Sequence, residues 1–331
     1  MAANPKPPLV SGSGLKPYHH YHAEAHVLSG ELKHPVNGPI EHHARVTLEE
    51  KSDRDHHFVQ SVTGITHKGV ISFKAGHSRV SGSQIKKKDL WGKDHSGWVT
   101  LSTSVIEGLN VLEVITADRV VAQVSTEHAM KDGHVPKVTF LGTRFENLCV
   151  CGYPVEVELD LGLCGANPPK SDRPYPEDRG FLTRVARQLH RIANAKGLPE
   201  DLEKQYDAKI VNIDALKKRA NGRSKGNSNA SSKVECSLIK SIGRIPIPGV
   251  KLFGNIIFIP DFGTVSLAEV EVVTEAPSYD RTSLQKPRGG SSPKTSGSTS
   301  FMLNMLNMQL GCIGGGKVLV ASSRANGQTK P

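Results

Sequence analysis

A period of two is the feature that most restricts the fold of this chain. In YPVEVELDLG, Val155, Val157, Leu159 and Leu161 alternate with Glu156, Glu158 and Asp160. Side chains on a strand point to opposite faces in turn, so this spacing describes a strand with one buried and one wet face. Asp118–Thr126 repeats it with Val120, Ala122 and Val124. In GTVSLAEVEVV the same spacing puts Val265 and Leu267 on one side and Ala268, Val270 and Val272 on the other. Short β-branched runs at Val111–Ile115, Val138–Leu141 and Lys317–Ala321 add further strands. Turn residues recur every eight to twelve positions from Gly64 to Gly165, the rhythm of a sandwich or barrel. No strand–helix alternation supports a parallel nucleotide-binding sheet.

One segment breaks the period. From Gly180, the residues Phe181, Leu182, Val185, Ala186, Leu189, Ile192 and Ala193 form one helical stripe, with Asp178 at its start and Gly197 and Pro199 as a stop. A second, short helix is predicted over Pro199–Tyr206. The expected fold is mainly β: an antiparallel sandwich or barrel-like sheet with a helical insertion over 166–216. The β domain would occupy 17–165, 234–275 and 300–323. Tails at 1–16 and 324–331, and segments 217–233 and 276–299, are too rich in Gly, Ser, Pro and Lys to contribute a core.

The pieces Ser104–His128, Val138–Val157, Ile259–Val273 and Ser300–Gly311 together resemble the β-rich bacterial family called choice-of-anchor P. Its strand pair GL-x-A-D-x-V-x-A is matched by Ala117, Asp118 and Val120. Its following hairpin is matched by Gly142, Phe145, Leu148, Val150, Gly152, Pro154 and Val155. The resemblance implies a β-rich protein of the cell surface or exterior, and it supplies no catalytic residues. The residues themselves point elsewhere for compartment. The first fourteen hold no apolar stretch of the length a secretory signal needs, no segment has the length of a membrane span, and five cysteines are few for an oxidised framework. A soluble, reduced, cytoplasmic protein is the expectation.

Candidate chemistry begins with histidine, because twelve of the fifteen precede residue 96. As a helix, YHHYHAEAHV would put His19, His22 and His26 on one face, a candidate site for zinc or another transition metal. As a strand, His20, His22 and His26 would share a side. Cys149 and Cys151 would share a strand face, with Cys164 thirteen residues on, but core packing is the simpler role for these thiols. Glu156, Glu158 and Asp160 read as a solvated face. Asp118 and Arg119, inside an apolar run, mark either a strand end or an ion pair at a sheet rim. The run FMLNMLNMQLG reads as a core strand with two apolar faces, or as an interface strand.

The forty-two Lys and Arg exceed the thirty-two Asp and Glu by ten. Nine of those surplus charges fall in 217–233 and 276–299, so the folded body is expected near neutrality. Lys217, Lys218, Arg219, Arg223 and Lys225 are candidate contacts for nucleic acid or another polyanion, although no aromatic residue interleaves them. Nucleophile-elbow and phosphate-loop patterns are missing, and Gly314–Gly316 precedes a strand where a phosphate cradle needs a helix. Three readings of function result. The first is a non-catalytic structural or interaction protein, a homo-oligomer formed through β edges. The second is a binding module for polyanions, and the third a metal-binding protein or metalloenzyme. No cofactor is expected under the first two.

Overall fold

A computed structural model describes residues 18–33, 37–52, 54–86, 96–130, 135–169, 174–222, 231–274, 298–311 and 316–330. The chain starts with β1 (Tyr18–Leu32), β2 (Gly38–His43) and β3 (Val46–Ser52). Four long strands follow: β4 (His56–His67), β5 (Ile71–Ile85), β6 (Gly97–Val111) and β7 (Ile115–Ala129). Short strands β8 (Lys137–Thr139), β9 (Arg144–Glu146), β10 (Cys149–Val150), β11 (Tyr153–Pro154) and β12 (Val157–Leu159) lead to helices α1 (Arg179–Ala193) and α2 (Glu200–Ala220). Then come β13 (Ser232–Ser237), β14 (Ile239–Ile242), β15 (Lys251–Phe253), β16 (Ile256–Ile259), β17 (Gly263–Thr274), β18 (Thr299–Leu310) and β19 (Gly316–Lys330).

Every pairing among these strands is antiparallel, and they form two large sheets and a separate β12–β14 pair. One runs β15-β16-β17-β18-β19-β1-β2, with β13 on β17 and β3 on β1. The other runs β11-β10-β7-β6-β5-β4, with β8 and β9 on β7. Neither closes on itself. They pack face to face, β19 over β6 and β7, and β1 over β5 and β6. The result is a β-sandwich with a helical insertion. Its approach is close: a Cβ at Gly82 would lie 2.6 Å from the Tyr21 ring, so β5 needs glycine there. Serine hydroxyls bridge the layers, Ser104 Oγ donating to the His26 carbonyl (2.8 Å) and Ser323 Oγ to that of Ala122 (3.0 Å).

A row of left-handed residues crosses each sheet, and it corrects the simple alternation. Ala268 (φ 47°) and Ala321 (φ 50°) lie in one row of the first sheet, Gly64 (φ 65°) and Gly108 (φ 62°) in one row of the second. At each row the inward parity flips. Trp98 to Ile106 face inward at even positions of β6, whereas Leu109 and Val111 do so at odd ones. In β17, Val265, Leu267, Val270 and Val272 therefore all reach the core rather than opposite faces. The same flip at Met305 gives β18 one apolar face, with Phe301, Leu303, Met305, Leu306, Met308 and Leu310 buried, while Met302, Asn307 and Gln309 are more open. β18 is a core strand, but not a two-faced one.

The helices pack beside β13. The Asp178 carboxylate caps α1 by accepting from the Phe181 N–H (2.6 Å), and the predicted stripe is buried from Phe181 to Ile192. The second helix is much longer than predicted. It spans 21 residues, of which only Leu202, Tyr206, Ile213 and Leu216 are buried, so its apolar period is faint. Its last turn holds Lys217, Lys218 and Arg219, where cations favour the negative end of a helix. The expected linker at 217–233 is thus helix at its start and strand β13 at its end. The expected tail at 324–331 is strand through Lys330, because β19 pairs with β1 as far as Tyr18. Segments 1–16 and 276–297 lie outside the described residues.

Candidate functional site: the histidine face of β1 and the edge at β4

Because 18–32 is a strand, its histidines separate onto two faces. His19 points inward, fully buried, stacked on Trp98 (ring centroids 5.2 Å, 8°) and against His128 (4.8 Å). Burial, and after it the neighbouring His128, pushes its pKa down to about 2. His20, His22, Glu24 and His26 share the opposite face, and His22 Nε2 shares a hydrogen bond with His20 Nδ1 (3.2 Å). The predicted trio His19, His22 and His26 is therefore not assembled, since it presumed helical spacing.

A different group assembles beside it. β1 is long enough to pair with β2 along its second half and β3 along its first. Between those two strands the chain turns at Ala44 (φ 47°), which folds His42 over His26 (ring centroids 4.6 Å, 83°) and brings Arg45 to Glu24 (2.8 Å). Ligand atoms of Glu24, His26 and His42 all lie within 4.8 Å of one another. Ser29 Oγ is 2.9 Å from His26 Nε2, whereas His26 Nδ1 is buried with no hydrogen-bond partner among the described residues. Burial first, then His42, lowers the His26 pKa to about 4, with Glu24 opposing.

The second notable region is β4. Among the described residues it pairs with β5 alone, and it is exposed along most of its length, with Phe58 42% and Val59 52% accessible. Its sequence, HHFVQSVTGITH, contains no Asp, Glu, Lys, Arg or Pro. Other sheet edges among the described residues are blunted. β15 has three residues, β11 two, β8 and β9 three each, and β13 is flanked by the helices. β3 carries Glu49, Glu50 and Lys51.

The remaining candidates resolve into structural roles. Lys217, Lys218 and Arg219 end α2, and the Arg219 guanidinium donates to Ser232 Oγ (3.3 Å). Arg223 and Lys225 lie outside the described residues. Lys233 is held by Glu235 (2.7 Å) and Glu271 (2.9 Å). Burial pushes the Cys164 thiol up to about 12, that of a core residue, while Cys151 is exposed at a turn. Glu158 is paired with Lys240 (2.6 Å) and accepts from Ser241, which lowers its pKa. Arg119 is paired with Glu107 (2.6 Å) in the middle of β7, and Asp118 accepts from Asn147 (2.7 Å). The pair thus sits at the bend of the second sheet rather than at a strand end.

Fold and site together define an open antiparallel β-sandwich with a helical insertion, one histidine-bearing corner and one long uncharged edge. The chain belongs to the family described as Domain of unknown function (DUF8256), whose model matches residues 19–273. That span contains the corner, β4 and both helices, and ends before β18 and β19, the two strands that join β17 to β1. No curated protein and no solved structure matches the chain. Among the described residues, no helix is long and apolar enough to cross a membrane.

Proposed function

We propose that this protein is a non-catalytic assembly module that joins a second copy of itself by strand addition along β4. The observation that carries the reading is a twelve-residue edge with neither charge nor proline, in a chain that is 22% charged. An open edge offers a row of unpaired backbone donors and acceptors, and monomeric proteins shield such edges with lysine, proline or brevity. β4 has none of these. A second β4 is the fitting occupant because the sheet is antiparallel throughout, and a twofold axis near Ser61 continues that order. Such an axis also sets the exposed Phe58 of each copy beside Gly64 of the other, the cross-strand pairing in which an aromatic ring covers a glycine. A neutral strand carries no charge pattern by which an oppositely charged partner would be selected.

The test is the mass of the full chain in solution across a wide concentration range, for the wild type and for Val59→Lys. The proposal expects a dimer that dissociates on dilution, and a monomer for the variant. A wild-type monomer at every concentration, or an unchanged dimer in the variant, overturns it.

A further inference from the structure

We infer that Glu24, His26 and His42 bind one divalent transition-metal ion at the corner where β2 turns into β3. Two imidazoles and a carboxylate, each offering a ligand atom within 4.8 Å of the others, suit zinc(II) and the neighbouring late first-row ions. Hard cations such as magnesium prefer an all-oxygen shell, which two histidines do not provide. Among the described residues no other group of three such side chains comes together.

His26 is the stronger argument. A ligating imidazole ordinarily gives its second ring nitrogen to an oxygen, which sets the tautomer and the ring plane. Here Ser29 Oγ engages Nε2 at 2.9 Å, and Nδ1 is left buried without a hydrogen-bond partner among the described residues, in a residue only 7% exposed. A buried imidazole nitrogen with nothing to bind is uncommon, and a cation between His26 and His42 satisfies it. The backbone is already arranged for this: Glu24 and His26 are two apart on one strand face, and Ala44 at φ 47° turns His42 onto them. Three protein ligands leave the remaining coordination positions to water. Arg45, 2.8 Å from Glu24 Oε1, competes with the ion for the carboxylate and keeps the affinity moderate. The bound ion would clip β2 to β1. This corner is on the first sheet and β4 on the second, so either proposal can fail alone.

Titration calorimetry of the metal-free full chain with zinc chloride tests the assignment, supported by the visible spectrum of cobalt(II) as a report of nitrogen and oxygen ligands. One ion per chain is expected. His42 is exposed, so His42→Ala should keep the fold, checked by circular dichroism, and weaken zinc binding by more than the 10–100-fold that loss of an outer partner costs. Ser29→Ala should weaken it by about 10-fold, and Arg45→Ala should tighten it. His22→Ala should leave it unchanged, which separates this site from the His20–His22 pair. Unaltered zinc affinity in folded His42→Ala, or loss of binding in His22→Ala alone, overturns the assignment.

Discussion

The two sheets of this sandwich end in opposite ways at neighbouring points of the chain. The first sheet ends at β2 and β3, where the edge is cut in two by the turn at Ala44 and carries Glu49, Glu50 and Lys51. The second ends at β4, an edge of twelve residues without a charge or proline. β3 and β4 are separated by only three residues, so local composition does not explain the difference. The contrast teaches that one edge is protected against pairing and the other left open to it.

Two large effects can break or sharpen this contrast, one on assembly and one on stability. Val59→Lys places a charge on the open edge, and the dimer dissociation constant should rise by at least about 10-fold, or about 1.4 kcal/mol, read by sedimentation equilibrium. A larger stability effect comes from acid, through the aromatic cluster that bridges the two edges: His19 opposes Ser52 of β3, and its neighbour Tyr21 lies 6.1 Å from the His56 ring of β4. The folded His19 pKa of about 2 is below the ordinary 6.5, so the unfolded chain binds a proton that the folded chain refuses. Stability is then complete above pH 6.5 and falls toward pH 2, by up to about 1.4 kcal/mol per unit and about 2 kcal/mol by pH 5. Urea unfolding at pH 7 and pH 5 should show at least that loss, and His19→Phe, which keeps the ring on Trp98, should remove the His19 share and leave that of His26, whose pKa burial also lowers.

Smaller effects follow. Gly64→Ala on β4 meets no atom within 4 Å, so its cost of about 1 kcal/mol should be backbone strain at φ 65° alone, measured by the urea midpoint. Glu50→Val on β3 should change stability by less than about 0.5 kcal/mol. It should also leave the mass in solution unaltered, because the turn at Ala44 still breaks that edge.

Much of the fold was legible as period two and period 3.6, and where it was not, the causes are specific. Strand alternation around Ala268 and Met305 suggests apolar groups on both faces, because the left-handed residues of that row, Ala268 and Ala321, are alanines and carry no sequence mark. The sequence predicts an end to α2 at Tyr206 because its buried positions beyond there, Ile213 and Leu216, are few, and Val211 is exposed. Lys217, Lys218 and Arg219 resembled a solvated linker although they close that helix. The surplus charge thus belongs less to linkers than composition suggested, since those three and Lys233 sit on regular elements. Residues 324–330 looked like a tail because their strand character comes from pairing with β1, a contact more than 290 positions away.

The candidate site was half legible. His26 stood out in the histidine-rich start, but its partners Glu24 and His42 depend on β1 being a strand and on one turn at Ala44. That β4 is an edge is a property of sheet order, which period alone does not contain. Its lack of charge was present in the sequence, but became meaningful only once the strand was seen to have a neighbour on one side.

Hydrogen exchange at the β4 amides, compared in concentrated and dilute solutions of the full chain, tests the assembly claim most directly. Amides of β4 that do not bond to β5 should be protected in concentrated protein and exchange freely on dilution, while β5 and β6 stay protected in both. Equal exchange of those β4 amides at both concentrations would contradict the account.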